Sequence, residues 1–386
     1  MARTGDGRPM EPAALRAGLR RWLDEHAGEL VECRGPGTGN LEADHERSLL
    51  LQRELWAAGW TRAGWPEAVG GTGGSAVHRG IVYDEVWGSG YLLSENVFSL
   101  ETLGEMLIRF DPDLAGRLVG AAARGEDTWC QGFSEPDAGS DLAALRCRAV
   151  ETSDGWVVNG QKVWTSIAHL SNRCFLLART GAPDSAHRGL SMFVVDMDAP
   201  GLTVWPLAAM NGRFEFAEVF FDDVVVPADR LVGSPGLGWT LAMYLLQWER
   251  GMYAWQRQAL MHQRFGHLLD EIEGEGDPRA LGATWVTLAA LRALSRDTVR
   301  RLGAGESPGP EISVTKVLLG TAEQSLMDTA RDALLPRLEL DPEAQGWRAE
   351  WFFSRATSIY GGAAEIQRTI IAERCLGLPR EPARGR

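Results

Sequence analysis

The chain has 386 residues, 45% hydrophobic and 24% charged, with a net charge of −13 at pH 7. This length predicts a large core divided between two or three packed layers or domains, and the composition is that of a soluble globular protein. The acidic balance argues against a nucleic-acid or anionic-membrane surface, because Arg20-Arg21 and Arg300-Arg301 are isolated pairs on helix-like stretches and form no basic patch. Five cysteines, odd in number and without CxxC spacing, predict reduced thiols in a cytoplasmic protein and no metal site. No apolar run reaches membrane-spanning length, and Met1 to Met10 is polar, without a signal-peptide core.

From about Pro12 to Arg124 the pattern is helical: Leu15, Leu19, Trp22 and Leu23 recur at helical spacing, as does the run from Leu49 to Trp56. Gly70 to Gly74 interrupts it as a loop. This is no phosphate cradle, because the Lys-Ser/Thr of a P-loop is missing. Between about Glu126 and Gly236 the period shortens. Gly155 to Val158 leads into Asn159-Gly160, a two-residue hairpin signal, and Val163-Trp164 continues beyond, with Lys162 read as a surface hairpin residue. Cys174 to Ala178, Leu190 to Val195 and Val219 to Phe221 are further strands of a mostly antiparallel β domain that Pro227 closes. Helical periodicity resumes over Trp239 to Glu271, Arg279 to Leu302, Ser313 to Leu334 and Trp347 to Cys375, with a frayed tail after Gly377. The expected fold is therefore mainly α with an inserted β domain, partitioned as 1–125, 126–236 and 237–386.

Two local features point to chemistry. Gly361-Gly362 stands directly before an amphipathic helix, where free N–H groups and the helix dipole favour a phosphate and glycines permit close approach. Leu241, Leu245, Glu249 and Met252 share one helical stripe, so an acid interrupts an apolar face. Desolvation there would raise its pKa into the range of a general base, unless an arginine of a neighbouring helix pairs with it structurally.

The segments Phe133 to Asp141, Asn159 to Ser166 and Ile359 to Arg368 resemble, in order and spacing, the flavin-site segments of the acyl-CoA dehydrogenase family. Ala58-Gly59-Trp60, Gly64-Trp65-Pro66 and Gly70-Gly71 are similar to its N-terminal motif. Phe220 to Pro227 resembles the strand leaving its β domain, and Glu249-Arg250 and Leu376 to Arg380 resemble its third-domain motifs. The resemblance implies a three-domain architecture: N-terminal helices, a middle β barrel or sandwich, and a C-terminal four-helix bundle. It implies FAD as cofactor and an acyl thioester as substrate, carried by coenzyme A or by an acyl or peptidyl carrier protein. It also implies proton abstraction by a carboxylate with hydride transfer to flavin N5, an electron-transferring flavoprotein as acceptor, and a homodimer or homotetramer.

By the same resemblance, Phe133 and Ser134 meet the flavin's pyrimidine edge, and Gly139-Ser140 approaches the pyrophosphate, with Asp141 capping the Leu142–Leu145 turn. Trp164 walls the isoalloxazine and Ser166 lies near N5. Gly361, Gly362 and Ala363 form a second phosphate-proximal turn, with Glu365 beside it. Two positions depart from the family pattern. Gly361 stands where many members carry their catalytic Glu, and Ala363 replaces the usual Thr. Part of the family carries its base on the earlier helix, and the matching position is Glu249. Arg250 would steady that carboxylate or the thioester, or make a salt bridge. The Arg-x-x-Phe-Gly motif of the third domain has no counterpart, since Gln263 to Gly266 lies too close to Glu249. The departures leave open a non-catalytic partner subunit of a heteromeric dehydrogenase, or a flavin-dependent oxidase or monooxygenase on the same fold.

Overall fold

A computed structural model describes residues 9–380 apart from 36, 274, 336, 342 and 343. Most of the polar N-terminal segment and the end of the tail lie outside the described residues. The chain divides into two compact units, Met1–Trp248 and Glu249–Arg386.

The first unit opens with helices α1 (Pro12–Glu25), α2 (Leu41–Ala57) and α3 (Ala76–Gly88). Leu15, Leu19 and Leu23 recur every fourth residue and bury one face of α1, and Pro12 occupies the first turn, where a missing N–H costs nothing. The Asn40 side chain caps α2 by accepting from Ala43 N at 3.0 Å. Further helices α4 (Glu95–Ser99), α5 (Glu105–Phe110) and α6 (Pro112–Ala123) follow, with a π turn over Leu100–Gly104 that swings Glu101 into the interior. There it meets the buried Arg79, whose Nε lies 2.7 Å from Glu101 Oε1 and whose guanidinium stacks 4.2 Å from the Trp65 ring.

Seven strands form one mixed, mostly antiparallel sheet: β1 (Trp129–Gly132), β2 (Arg148–Thr152), β3 (Gly155–Ser166), β4 (Arg173–Arg179), β5 (Leu190–Asp196), β6 (Leu202–Leu207) and β7 (Phe216–Val226). The order is β1-β4-β2-β3-β7-β6, with β5 against β4. Strand β4 is apolar at every central position because both of its faces are covered. Phe175 and Leu177 join a core shared with Trp65, Leu103, Val119 and Leu241, whereas Cys174, Leu176 and Ala178 join a second core with Val158, Phe193 and Val219. Helix α7 (Gly238–Trp248) closes the first of these cores through Leu241 and Leu245. The helical segment and the sheet are thus cemented by one hydrophobic cluster within the first unit.

The Asn159-Gly160 hairpin is not formed. Strand β3 runs straight through it, and the turn lies at Ser153-Asp154, between β2 and β3. Asn159 instead binds Asp223 across the sheet, through Nδ2 to Oδ1 at 2.9 Å. Gly160 marks a bulge, at φ +147°, where a Cβ would come within 2.7 Å of Cys147 Cα. Gly160→Ala is expected to lose about 1–3 kcal/mol of stability from this collision, read as a lowered urea midpoint with an unchanged slope.

In the second unit, a π turn over Glu249–Tyr253 leads into α8 (Ala254–Glu271), followed by α9 (Pro278–Gly303) and α10 (Ile312–Leu334). Met261, Phe265 and Leu268 of α8 pack with Leu288 and Leu291 of α9 and with Leu319 and Leu326 of α10. Short helices α11 (Arg337–Leu340), α12 (Gln345–Ser354) and α13 (Ala364–Ile370) complete it. The helical pattern expected over Trp347 to Cys375 is interrupted at the glycine pair expected to precede a helix: Gly361 and Gly362 adopt φ of +62° and +101°, a left-handed turn that no right-handed helix continues through. The five cysteines are free, four of them buried, and no helix among the described residues is long and apolar enough to cross a membrane.

Candidate functional site

In the first unit, the segment after β1 and the end of β3 come together. Val163 N donates to Ser134 O at 2.9 Å, which ties the loop bearing Phe133, Ser134, Gly139 and Ser140 to the strand bearing Trp164 and Ser166. Phe133 is buried, Ser134 is half-buried, and Gly139, Ser140 and Ser166 are exposed. Trp164 is 62% exposed and stands edge-on to Phe216, with 5.9 Å between ring centroids.

A regular strand would not produce this presentation. The register shifts between Lys162 and Thr165, and Trp164 sits at φ +60°, a conformation that costs a bulky residue about 1–3 kcal/mol. The bulge turns the indole outward while Val163 and Thr165 on either side stay buried. Such strain at an exposed aromatic face fits a planar ligand stacked on it.

Two expectations fail in this region. Lys162 is no surface residue: it is fully buried, with Nζ 3.0 Å from Phe133 O and 2.8 Å from Glu135 Oε1. The sequence read it wrongly because the hairpin that would have exposed it does not form. Asp141 precedes the short turn Leu142–Ala144, but its side chain makes no capping bond.

In the second unit, α8, α10 and the Gly361-Gly362 turn bring together a polar cluster. A Cβ on Gly361 would lie 2.9 Å from Glu249 Oε1 and 3.3 Å from Lys316 Cε, and one on Gly362 would lie 2.2 Å from Gln367 Nε2 and 3.4 Å from an Arg250 guanidinium nitrogen. The carboxylate of Glu249 therefore reaches the space that a side chain at 361 would fill. Burial raises the Glu249 pKa above the usual carboxylate range, opposed by the charges of Arg250 and Lys316. Burial likewise pushes Lys316 down to about 8, opposed by Glu249 and Glu323. Lys316 Nζ donates to Thr357 O at 2.5 Å and lies 4.5 Å from the centroid of the Tyr360 ring. Ala363 occupies the cap position of α13, and Glu365 is exposed one residue into that helix.

Several members of this cluster escaped the sequence reading. Tyr253 OH donates to Tyr360 OH at 3.0 Å, and Arg257 pairs with Glu323. Lys316 and Glu323 could have been found by the argument that found Glu249. Ile312, Lys316, Leu319, Glu323 and Leu326 form one buried stripe of α10, interrupted twice by charge. Gln367 carries no such signal: it is fully buried, and neither its amide nitrogen nor its oxygen has a partner among the described residues. Arg250 Nε is likewise buried and unpartnered.

These features fit FAD. The first unit offers an exposed aromatic face beside hydroxyl and backbone groups. The second offers a turn of two glycines at positive φ, lined by an unsatisfied amide and a guanidinium.

Comparison with known proteins agrees. Residues 130–224 match the family model for the acyl-CoA dehydrogenase middle domain, and residues 236–376 match that for the C-terminal domain. The chain is 42% identical to acyl-CoA dehydrogenase IpdE1 of Mycobacterium tuberculosis over 95% of its own length and 98% of the relative's. It is 37% identical to the IpdE1 of Mycolicibacterium smegmatis over 96% and 99%. Among solved structures, Tcur3481-Tcur3483 steroid ACAD superposes with a TM-score of 0.82 at 27% identity, covering 96% of this chain and 99% of that one. With a strained aromatic face in one unit, a carboxylate filling the place of a missing side chain in the other, and full-length similarity at this level, the chain belongs to the acyl-CoA dehydrogenase family, oxidoreductases that dehydrogenate acyl thioesters with FAD.

Proposed function

We propose that the protein dehydrogenates the α,β bond of an acyl-CoA, with Glu249 as the base that removes the α proton. The observation that carries this reading is the placement of Glu249 Oε1 at 2.9 Å from the Cβ position of Gly361. The family's other base position is empty of a side chain here, and a carboxylate from the π turn occupies its space.

In the first unit, Phe133, Ser134, Trp164 and Ser166 would hold the flavin ring, and Gly139-Ser140 a phosphate. In the second, the Gly361–Ala363 turn, with Glu365 beside it, would approach the cofactor's phosphates. When bound, FAD supplies the hydride acceptor. The protein's own task is to keep Glu249 unprotonated yet basic. Desolvation raises the carboxylate's proton affinity, as a general base needs, and the cationic Arg250 and Lys316 oppose that effect.

Coenzyme A is favoured over a carrier protein because carriers are acidic and would need a basic docking patch on a chain of net charge −13. The name of the solved relative, a steroid ACAD, supports a bulky ring-bearing acyl group as the substrate class. An electron-transferring flavoprotein is the proposed acceptor, and a homodimer or homotetramer the proposed assembly. That relative's name pairs two gene designations, which makes a heteromer the second reading. The test is an anaerobic titration of purified flavoprotein with short, branched and ring-bearing acyl-CoAs. Bleaching of the oxidised-flavin band by one class supports the proposal; a flavin that no acyl-CoA reduces refutes it.

A pH dependence follows. Glu249 works deprotonated, so kcat/KM rises with pH through its raised pKa, and the Lys316 cation, present below about 8, pulls that limb toward lower pH. Lys316→Met removes this help. Its acid limb should move to higher pH, in profiles of kcat/KM between about pH 5 and 9, while a limb that stays in place would show that Lys316 has no influence on the base.

A further inference from the structure

Lys162 poses a problem that the assignment of flavin contacts does not solve. It is fully buried, and its ammonium is spent on Glu135 Oε1 at 2.8 Å and the carbonyl oxygen of Phe133 at 3.0 Å. A buried ion pair is a poor device for stability, because well-packed apolar side chains of similar volume serve as well or better. The pair's geometry shows another use.

We infer that Lys162 and Glu135 are positioning residues that aim the Ser134 N–H at the flavin's pyrimidine edge; the inference rests on the FAD reading above. The carbonyl of Phe133 and the N–H of Ser134 belong to one planar trans peptide and point in opposite directions. Holding the carbonyl inward with an ammonium therefore turns the N–H outward. Among the described residues neither that N–H nor the Ser134 hydroxyl has a hydrogen-bond partner, and the only bond Ser134 makes is through its carbonyl, to Val163 N. A cation on the carbonyl also polarises the peptide and strengthens its N–H as a donor.

Glu135 keeps the ammonium in place. Its Oε1 also accepts from Cys147 N at 2.8 Å, and its Oε2 accepts from Arg146 N at 2.6 Å, so the carboxylate is fixed by the backbone at the start of β2. Two residues beyond Lys162, the bulge throws Trp164 outward. One short stretch of β3 thus sends a charge beneath the loop and an aromatic face above it, and the Val163–Ser134 bond locks the two together.

The test compares wild type with the Glu135→Gln/Lys162→Met double variant, which removes both charges and strands neither. FAD affinity of the apoprotein, the midpoint potential of the bound flavin and thermal unfolding of the apoprotein are measured. The expected result is an apoprotein that still unfolds cooperatively, an FAD Kd raised about tenfold, the effect of one well-aimed hydrogen bond, and a more negative potential, because a donor at the pyrimidine edge favours the electron-rich reduced form. Kd within twofold of wild type with an unchanged potential overturns the inference, whatever happens to thermal stability. Should the double variant not fold, Lys162→Gln, a shorter neutral donor, is expected to shift both quantities in the same direction by less, and no shift there overturns it too. A wild-type protein that takes up no FAD would overturn the FAD reading itself, and the inference with it, a result separate from an effect of the substitutions.

Discussion

Glu249→Gln should lower kcat with the best acyl-CoA by about 10²- to 10⁴-fold, the usual contribution of a positioned general base, while leaving the flavin bound. The substitution keeps shape and volume and removes only the capacity to accept a proton. The Glu249 carboxylate reaches into the space left beside Gly361, 2.9 Å from where a Cβ would stand, and an amide of the same shape fits there equally. Stopped-flow mixing with substrate separates the outcomes. A loss in the rate of flavin bleaching with little change in substrate binding assigns Glu249 to proton removal. Undiminished bleaching would move the base elsewhere and remove the main support for the proposed mechanism.

The second large effect concerns stability. Arg257 and Glu323 are a buried pair beneath the same cluster, and Arg257 also stacks 5.5 Å from the Phe353 ring. Arg257→Leu strands the Glu323 carboxylate, fully covered among Leu319, Ala322 and Leu326, and should cost about 3–5 kcal/mol. The Arg257→Leu/Glu323→Leu double variant, with no charge left to strand, is expected to recover most of that loss. Urea unfolding of the two variants checks this, and a double variant as weak as the single one would show that the pair stabilises through packing rather than charge.

The polar groups above this pair depend on it. Tyr253 and Tyr360 share a hydrogen bond, and burial and neighbouring charge hold both phenols well above their ordinary pKa, so they stay protonated donors throughout the physiological range. Tyr360 adjoins Gly361 in sequence and lies under the Lys316 ammonium. A shift of α10 against α8 would therefore reach the base and the glycine turn together, and the Arg257–Glu323 pair joins those two helices.

The sequence by itself determined the order of helical and β segments, because periods of 3.6 and 2 are written in which residues are apolar. It also determined that a glycine turn precedes the last helix and that Glu249 is anomalous, since a glycine pair and a charge in an apolar stripe are visible without coordinates, whereas the left-handed φ of Gly361 and Gly362 came from the structure. The fate of Lys162 was decided only by tertiary structure. Asn159-Gly160 has the local signature of a hairpin, yet Asp223 on β7 and Cys147 beside the bulge hold β3 extended through it, and the lysine goes inward to Glu135. The outward turn of Trp164 depends on the same non-local pairing. Gln367 and Tyr253 were illegible for a related reason: their roles come from which distant backbone and side chains pack against them, and a helical pattern records burial without recording the partner.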